Sequence, residues 1–248
     1  MNIITTFMLI NMQAVGLLIL TGISGNSQSV QRDSVAFCEA ESFLSKNPNH
    51  IEVLLLASKL GSSLAGNSPN GALKTQYIVR ATTYAERSII LKSTSKEAHL
   101  NYIIAIGLQS ANAKSPTEKL KHASIIKREA DFLLSLDSSY APAYFIIGKW
   151  HLSLASLSWL EKTACDFLFG GMPEDVSLEN AMQYFEKAIQ LQPDCILYHY
   201  NKALTLKKLG RTKEAIVVSK FSLQLPIRDA NDRIRRENCA ELLKELLQ

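Results

Sequence analysis

The stretch YFIIGKWHLSLASLSWLEKTACDFLFGGMPEDVSLENAMQYFEKAIQLQP, residues 144–193, decides the fold. Its first half carries an apolar residue every three or four positions, as one helix face requires; these residues are Trp150, Leu154, Leu157, Leu160, Ala164 and Phe167. Gly170 and Gly171 predict the end of this helix, because glycine adopts the left-handed backbone of a helix C-terminus without steric cost. Ser177 is the expected N-cap of a second helix, which Pro193 ends because proline has no N–H. The stretch therefore predicts an antiparallel helical hairpin.

The rest of the chain has the same helical periodicity. Of its 248 residues, 47% are hydrophobic and 20% are charged, so the chain can bury a core and is not of the disordered class. Its 11 glycines and 7 prolines are too few for the many turns of a β-sandwich. The predicted fold class is all-α, with helices at 30–46, 50–65, 72–93, 96–112, 117–136, 140–169, 177–191, 195–209, 211–224 and 229–247.

A repeat is visible when the first helices of successive pairs are aligned on a small residue. The aligned residues are Ala57, Ala105, Gly148 and Ala203, at intervals of 48, 43 and 55 residues. Small side chains recur where two helices cross closely. Because each hairpin leaves one apolar face uncovered, stacking predicts a right-handed superhelix of antiparallel helix pairs, closed by a C-terminal capping helix. This arrangement is similar to that of tetratricopeptide repeats, whose period of about 34 residues is shorter.

The N-terminal segment has the composition of a targeting sequence. Residues 1–31 contain no lysine, arginine, aspartate or glutamate, and an apolar run extends from Phe7 to Leu20. A run of about 14 residues suits the core of a signal peptide and is short for a bilayer span of about 20 residues.

Gly25 and Ser27 fit the small-x-small pattern that precedes signal-peptide cleavage, here before Gln28. We therefore expect a signal peptide at 1–27 and a helical repeat domain at 28–248. The expected location is outside the cytoplasm, in the periplasm if the protein is bacterial. The alternative is an uncleaved segment that anchors the protein in a membrane.

The charge distribution argues against nucleic-acid binding. The 27 lysines and arginines exceed the 23 acidic residues by only four. The basic residues are scattered or lie beside acids, as in the segment 228–237. Such a surface does not follow a phosphate backbone. The sequence gives no indication of the oligomeric state.

The four cysteines indicate no metal or redox motif. They are widely separated and form no CxxC pair; they are Cys38, Cys165, Cys195 and Cys239. Two interpretations remain open: all four are small buried side chains, or Cys165 and Cys195 form a disulfide across the hairpin in an oxidising compartment.

Catalytic motifs are missing from the sequence, which has no phosphate-binding glycine loop, no GxSxG and no HExxH. His151, next to Trp150, is a candidate general base, and a hydrogen-bonded core histidine is the alternative. Trp150 and Trp159 are expected to be packing anchors. We therefore predict a non-enzymatic protein without cofactor or metal; a hydrolase or transferase whose site follows no known motif is the alternative.

A ligand groove is predicted on the concave side of the stack. Residues three before and one after the aligned small residue should point there, because helical residues four apart share a face. With Lys207 one turn further on, the predicted site is Leu54, Tyr102, Phe145, Lys149, Tyr200, Leu204 and Lys207. This aromatic and aliphatic strip predicts a partner peptide or protein, or an acidic lipid whose carboxylate or phosphate meets Lys149. The alternative is that the long helix and the capping helix fill the groove, so that these side chains are core.

Several motifs resemble the regulator of microtubule dynamics family. They are GKW at 148–150, LSWLEK at 157–162, LFG at 168–170 and the closing Pro193, followed by KALTLKKLGRTKEAI and LPIRDANDRIRRE. The resemblance is close over residues 117–248 and looser over 34–116. It implies an all-helical interaction module. Some members of the family carry a membrane-spanning N-terminus and are linked with microtubules, mitochondria or organelle contacts, and one is associated with lipid binding.

Overall fold

The structure is a computed structural model that describes residues 27–69, 71–157 and 173–248. Within these ranges the chain forms ten helices and no β-strand, which confirms the all-α prediction. In chain order the helices are α1 (Ser27–Lys46), α2 (Ile51–Asn67), α3 (Ala72–Leu91), α4 (Lys96–Asn112), α5 (Pro116–Leu136), α6 (Ala141–Ala155), α7 (Leu178–Leu191), α8 (Ile196–Lys208), α9 (Thr212–Gln224) and α10 (Ala230–Leu246). None of these helices is long and apolar enough to cross a membrane.

Four antiparallel helix pairs follow α1. They are α2 with α3, α4 with α5, α6 with α7, and α8 with α9. Each pair packs on the next through the contacts of α3 with α4, α5 with α6, and α7 with α8. Helix α10 packs on both α8 and α9 and closes the stack. The predicted superhelix of pairs with a C-terminal capping helix is thus confirmed.

The same four-residue turn precedes α2, α4, α6 and α8. Its first N–H donates to the carbonyl four residues earlier at 2.9 to 3.0 Å, and its fourth N–H donates to the carbonyl of its first residue. The turns comprise residues 47–50, 92–95, 137–140 and 192–195. Successive turns are therefore 45, 45 and 55 residues apart, and they give the register of the repeat directly.

The eighth residue after the turn lies where the two helices of the first and third pairs approach closely. The eighth residues after the four turns are Ser58, Ile103, Gly148 and Ala203. The Ser58 hydroxyl donates to the backbone oxygen of Ala81 on α3 at 2.9 Å. A Cβ atom on Gly148 would lie 3.2 Å from the backbone oxygen of Ala181 on α7 and 2.7 Å from the ring of Phe185. The predicted helix crossing at Gly148 is confirmed.

This register corrects two of the four aligned residues. Ala57 lies one position before the crossing and Ala105 two positions after it, whereas Gly148 and Ala203 occupy it. Ala57 and Ala105 are themselves fully buried, so side-chain size alone does not separate them from the true position. The constant spacing from the turn identifies the position instead.

The fourth residue of three first helices bonds back to the preceding turn. In each case a side-chain atom lies 2.6 to 3.0 Å from the carbonyl oxygen six residues earlier. The three residues are His99, Tyr144 and His199. The bond attaches the start of α4, α6 and α8 to the end of the pair before it.

Helix α6 ends at Ala155, so the prediction of one helix over 140–169 was wrong. The Ser156 hydroxyl and its N–H both donate to the Leu152 carbonyl, at 2.6 and 3.2 Å. A serine that bonds to the backbone in this way competes with helix continuation. The predicted glycine stop lies in 158–172, outside the described residues.

The described part of the apolar stripe packs as predicted. Trp150, Leu154 and Leu157 form a buried cluster with Ala123 of α5. The Trp150 indole N–H donates to the backbone oxygen of Ala123 at 3.1 Å. Trp150 is therefore a packing anchor, as expected; Trp159 lies outside the described residues.

The two ends of the domain are formed by single helices. At the C-terminus, Asp229 is the N-cap of α10 and accepts from the Asp232 N–H at 2.7 Å. Cys239 and Leu242 are buried side chains of α10. At the N-terminus, α1 begins at Ser27, and the apolar run lies outside the described residues, so the leader stays a prediction.

Candidate functional site

The predicted groove residues lie in different environments. Leu54 is 1% exposed and packs in the core with Phe37 and Leu44 of α1. Phe145 is 5% exposed, and its ring stacks on that of Tyr198 with centroids 5.0 Å apart. Both side chains lie in the core, which is the alternative that the sequence left open for them.

Tyr102 faces the second helices of the pairs. It is partly buried, and its pKa is raised, first by burial and then by the negative charges of Glu86 on α3 and Glu129 on α5. The corrected register explains this orientation. Tyr102 is the seventh residue of α4, and the seventh residue of α6 is the fully buried Ile147.

The capping helix covers part of the concave side next to α8. Tyr200 is partly buried and packs against the cluster around Cys239 of α10. The Lys207 Nζ lies 2.5 Å from the Glu245 Oε2 of α10. Leu204, which lies between them in sequence, is partly buried.

Lys149 is a buried amine without a partner. It is the ninth residue of α6 and is 3% exposed, and its Nζ makes no hydrogen bond within the described part of the chain. Burial, and then the positive charge of Lys208 on α8, lowers its pKa from 10.5 to about 7. An unpaired buried ammonium costs several kcal/mol relative to a solvated one. Lys149 is therefore the predicted site residue whose buried polar group lacks a partner in the described structure.

Ser153 extends this site by one helical turn. Residues four apart on a helix share a face, so Ser153 lies on the same face as Lys149. Its hydroxyl is also buried without a hydrogen-bond partner among the residues that the structure describes. Ser153 was not predicted from the sequence, although its spacing from Lys149 was a usable signal. An amine and a hydroxyl on one face are both donors for an anion.

Helix α8 makes this side of the stack electropositive. It carries Lys202, Lys207 and Lys208 and no acidic residue. Lys202 is paired with Glu186 at 2.9 Å, and Lys207 with α10, whereas Lys208 forms no ion pair in the described ranges. The positive charge of α8 that acts on Lys149 is therefore that of Lys208.

His151 is a core histidine in this geometry. Its side chain has no exposed surface, its ring stacks on that of Tyr184 at 5.2 Å, and burial lowers its pKa. Its Nε2 lies 3.9 Å from the Asp175 Oδ2, which is beyond hydrogen-bonding distance. A surface cavity of about 260 Å³ lies nearby, lined by Tyr144, Asp175, Asn180, Gln183, Tyr184 and Lys187. His151 does not line this cavity and is fully buried, which favours the core role. Neither of its ring nitrogens has a hydrogen-bond partner in the described part of the chain, however, unlike the hydrogen-bonded histidine that was expected.

The described residues contain no group of three or more histidine, cysteine, aspartate or glutamate side chains that would hold a metal ion. Cys38, Cys195 and Cys239 are free thiols. Cys165 lies outside the described residues.

The chain matches one protein family over nearly its whole length. The family described as regulator of microtubule dynamics protein 1-3 matches residues 23–247. Regulator of microtubule dynamics protein 2 of Rattus norvegicus is 26% identical over 180 residues, which cover 72% of this chain and 43% of that protein. Regulator of microtubule dynamics protein 1 of Mus musculus is 28% identical over 139 residues, 56% of this chain and 43% of that protein. The matched part of the chain thus spans less than half the length of these relatives.

A solved structure shares the fold. The crystal structure of a thermophilic TPR protein of Thermus thermophilus superposes with a TM-score of 0.62 and 14% identity, covering 86% of this chain and 93% of that one. At this identity the likeness concerns the fold alone. It agrees with a stack of tetratricopeptide-like helix pairs.

Proposed function

The chain belongs to the regulator of microtubule dynamics protein 1-3 family, and from this premise we propose that it is a non-enzymatic module that binds a partner on its concave face. Its tetratricopeptide-like fold suits protein interaction, because stacked helix pairs present an extended concave surface. The relatives are more than twice as long as the matched segment. What this chain shares with them is the repeat module, which is less than half of each relative.

The observation that carries the proposal is the unpartnered amine of Lys149. Buried polar groups in folded proteins are nearly always hydrogen-bonded, so an exception calls for an explanation. Stability does not explain it, since an apolar side chain in the same place would be more stable. A ligand that accepts hydrogen bonds from this amine explains why it is kept.

The site's chemistry sets the class of ligand. Lys149 and Ser153 supply hydrogen-bond donors, and Lys208 adds positive charge. Leu204, the ninth residue of α8 and thus the counterpart of Lys149 in the next repeat, adds apolar surface. We propose a ligand that combines an anionic group with an apolar part, which describes an acidic segment of a partner protein or an acidic lipid.

Export is a further part of the proposal. The apolar N-terminal run supports a leader at 1–27, and membrane anchoring by the same segment is the alternative. Mass spectrometry of the protein isolated from its own cells distinguishes them. A chain that begins at Gln28 would support cleavage, and a chain that begins at Met1 in the membrane fraction would support the anchor.

Binding is tested with two probes. They are phosphatidylcholine vesicles with and without phosphatidylglycerol, and an amphipathic acidic peptide. We expect the wild-type protein to bind the acidic vesicles or the peptide, and Lys149→Glu to lose most of this binding through charge repulsion.

Lys59 provides a matched control. It is the ninth residue of α2, so it has the same repeat position as Lys149, and it is exposed. Lys59→Glu makes the same charge change and should leave binding unchanged. Equal losses of binding in the two variants would mean that net charge, and not the Lys149 site, causes the loss. A wild-type protein that binds neither probe would contradict the proposal.

A further inference from the structure

The acidic residues on the described helices around α6 form no ion pair with Lys149. Among the described helices, α5, α7 and α8 pack against α6. On α5, Glu129 lies 2.7 Å from the His99 ring, and Asp131 is paired with Lys127 at 2.8 Å. The remaining acid of α5, Glu118, is in its first turn. No carboxylate in the described ranges of α5 is therefore paired with Lys149.

Helices α7 and α8 give the same result. On α7, Glu186 is paired with Lys202, and the other acid, Glu179, lies in the first turn. Helix α8 has no acid and presents Lys208. An ammonium in such a place has no counter-ion among the residues that the structure describes, and the usual response of a buried lysine is to give up its proton.

We propose that the anion that binds at Lys149 is captured together with one proton, so that ligand affinity falls as the pH rises. The inference rests on the proposed function, because it concerns the same site. In the free protein the amine is largely uncharged above neutral pH. In the complex it is an ammonium paired with the ligand's negative charge. This agrees with a Lys149 pKa that burial and Lys208 lower to about 7.

The charge balance of the step is simple. The neutral amine takes one proton from solvent, and the ammonium then donates hydrogen bonds to the bound anion, with the Ser153 hydroxyl as a second donor. The anion neutralises the new charge, so the occupied site is neutral overall. The attraction is strong because the pair is shielded from water.

Histidines do not account for the expected pH range. Burial lowers the pKa of His122, His151 and His199 below the usual 6.5. These groups lose their charge below neutral pH, whereas the proposed coupling acts above it. These three histidines therefore do not produce a decline in affinity above neutral pH, and the Lys149 variants assign such a decline to the amine.

The test uses probes that do not titrate in this range. Decanoate supplies a carboxylate with an apolar tail, and phosphatidylglycerol vesicles supply a phosphodiester. Isothermal titration calorimetry on the full chain, in buffers of different ionisation heat, counts the protons taken up per ligand. In the wild-type protein we expect the Kd to weaken by about tenfold for each pH unit above about 7, and the proton uptake to approach one.

Three variants make the test decisive. Lys149→Arg keeps a charge that is not lost at these pH values, so its affinity should not vary with pH. Lys149→Met should bind weakly at every pH without proton uptake, and Lys59→Met should keep the wild-type pH profile. The pH series is run with each probe that binds.

Binding of either probe with the same Kd at about pH 6 and about pH 9 would overturn the inference and leave the proposed function intact. A wild-type protein that binds neither decanoate, nor the vesicles, nor the amphipathic acidic peptide at any pH would remove both. Proton uptake that persists in Lys149→Met would assign the coupling to another group and overturn the inference.

Discussion

The first and third repeats carry the same two side chains at the same two positions. Lys59 and Ser63 are the ninth and thirteenth residues of α2, and Lys149 and Ser153 are the ninth and thirteenth of α6. In the first repeat the lysine is exposed, and the serine hydroxyl donates to the Asp33 carboxylate of α1 at 2.6 Å. In the third repeat both side chains are buried, and neither has a partner within the described residues.

The difference between the two repeats separates what a repeat determines from what it does not. The turn and the helix geometry determine where the ninth and thirteenth side chains point. The neighbouring elements determine whether those side chains meet water, a carboxylate or neither. In the third repeat, Lys149 and Ser153 are buried without partners in the described structure, which lowers the stability of the fold. Such a loss of stability is the usual mark of a functional position.

The largest expected effect is the replacement of the two lysines by methionine. Lys149→Met should raise the free energy of unfolding at about pH 6 by about 1–4 kcal/mol, because it removes an unpaired buried charge and keeps the side-chain volume. Lys59→Met should change it by less than about 0.5 kcal/mol. Urea denaturation of both variants measures the difference, and equal effects would abolish the distinction between the two repeats.

The helix crossings give the next largest effect. Gly148→Leu should cost about 1–3 kcal/mol, because even a Cβ at this position lies 2.7 Å from the Phe185 ring. At the equivalent crossing of the first repeat, Ser58→Ala should cost about 1 kcal/mol through the lost hydrogen bond to Ala81. Thermal unfolding gives both values, and an unchanged Tm for the leucine variant would refute the register.

The pH dependence of stability follows from the same lysine. Between about pH 7 and 10.5 the unfolded chain holds a proton on Lys149 that the folded chain has released, so the free energy of unfolding should rise with pH. The slope from this group should be at most about 1.4 kcal/mol per pH unit, and the destabilisation is fully present below about pH 7. The rise should be missing from Lys149→Met and present in Lys59→Met, as denaturation across this range would reveal.

The smallest expected effect concerns the two serines. Ser63→Ala removes the bond to Asp33 and should cost about 0.5–1.5 kcal/mol. Ser153→Ala removes a hydroxyl that is unpartnered in the described structure, and should be neutral or slightly stabilising. A loss of stability at Ser153 as large as that at Ser63 would indicate a partner for its hydroxyl in the free protein.

The fold was predictable because helical periodicity is present in every described segment. The hairpin of α6 and α7 follows from the apolar stripe and the Ser177 cap, whose hydroxyl accepts from the Asn180 N–H at 3.0 Å. The end of α6 was not predictable from the apolar stripe, which continues through Leu157. At this end the Ser156 hydroxyl donates to the Leu152 carbonyl, a local bond that the apolar pattern does not encode.

The site was predictable only in part. Lys149 was found by its spacing from Gly148, whose place at the crossing was correct. Leu54 and Tyr102 came from aligned alanines that lie beside the crossing, and this shift gives them other directions. The burial of Lys149 has no signal in its own helix, because it depends on which side chains the neighbouring helices bring, as the exposed Lys59 demonstrates.

The bonds from His99, Tyr144 and His199 to the preceding turns have a mechanical consequence. They fasten three of the four first helices at the joint between two helical elements, so they constrain the angle through which one pair is rotated relative to the next. In a stack these angles add up, so a small rotation between two pairs produces a larger displacement at the far end of the stack. The curvature of the concave face is therefore controlled by residues that do not line it, and a change at these joints should alter which partners fit without removing any contact to them.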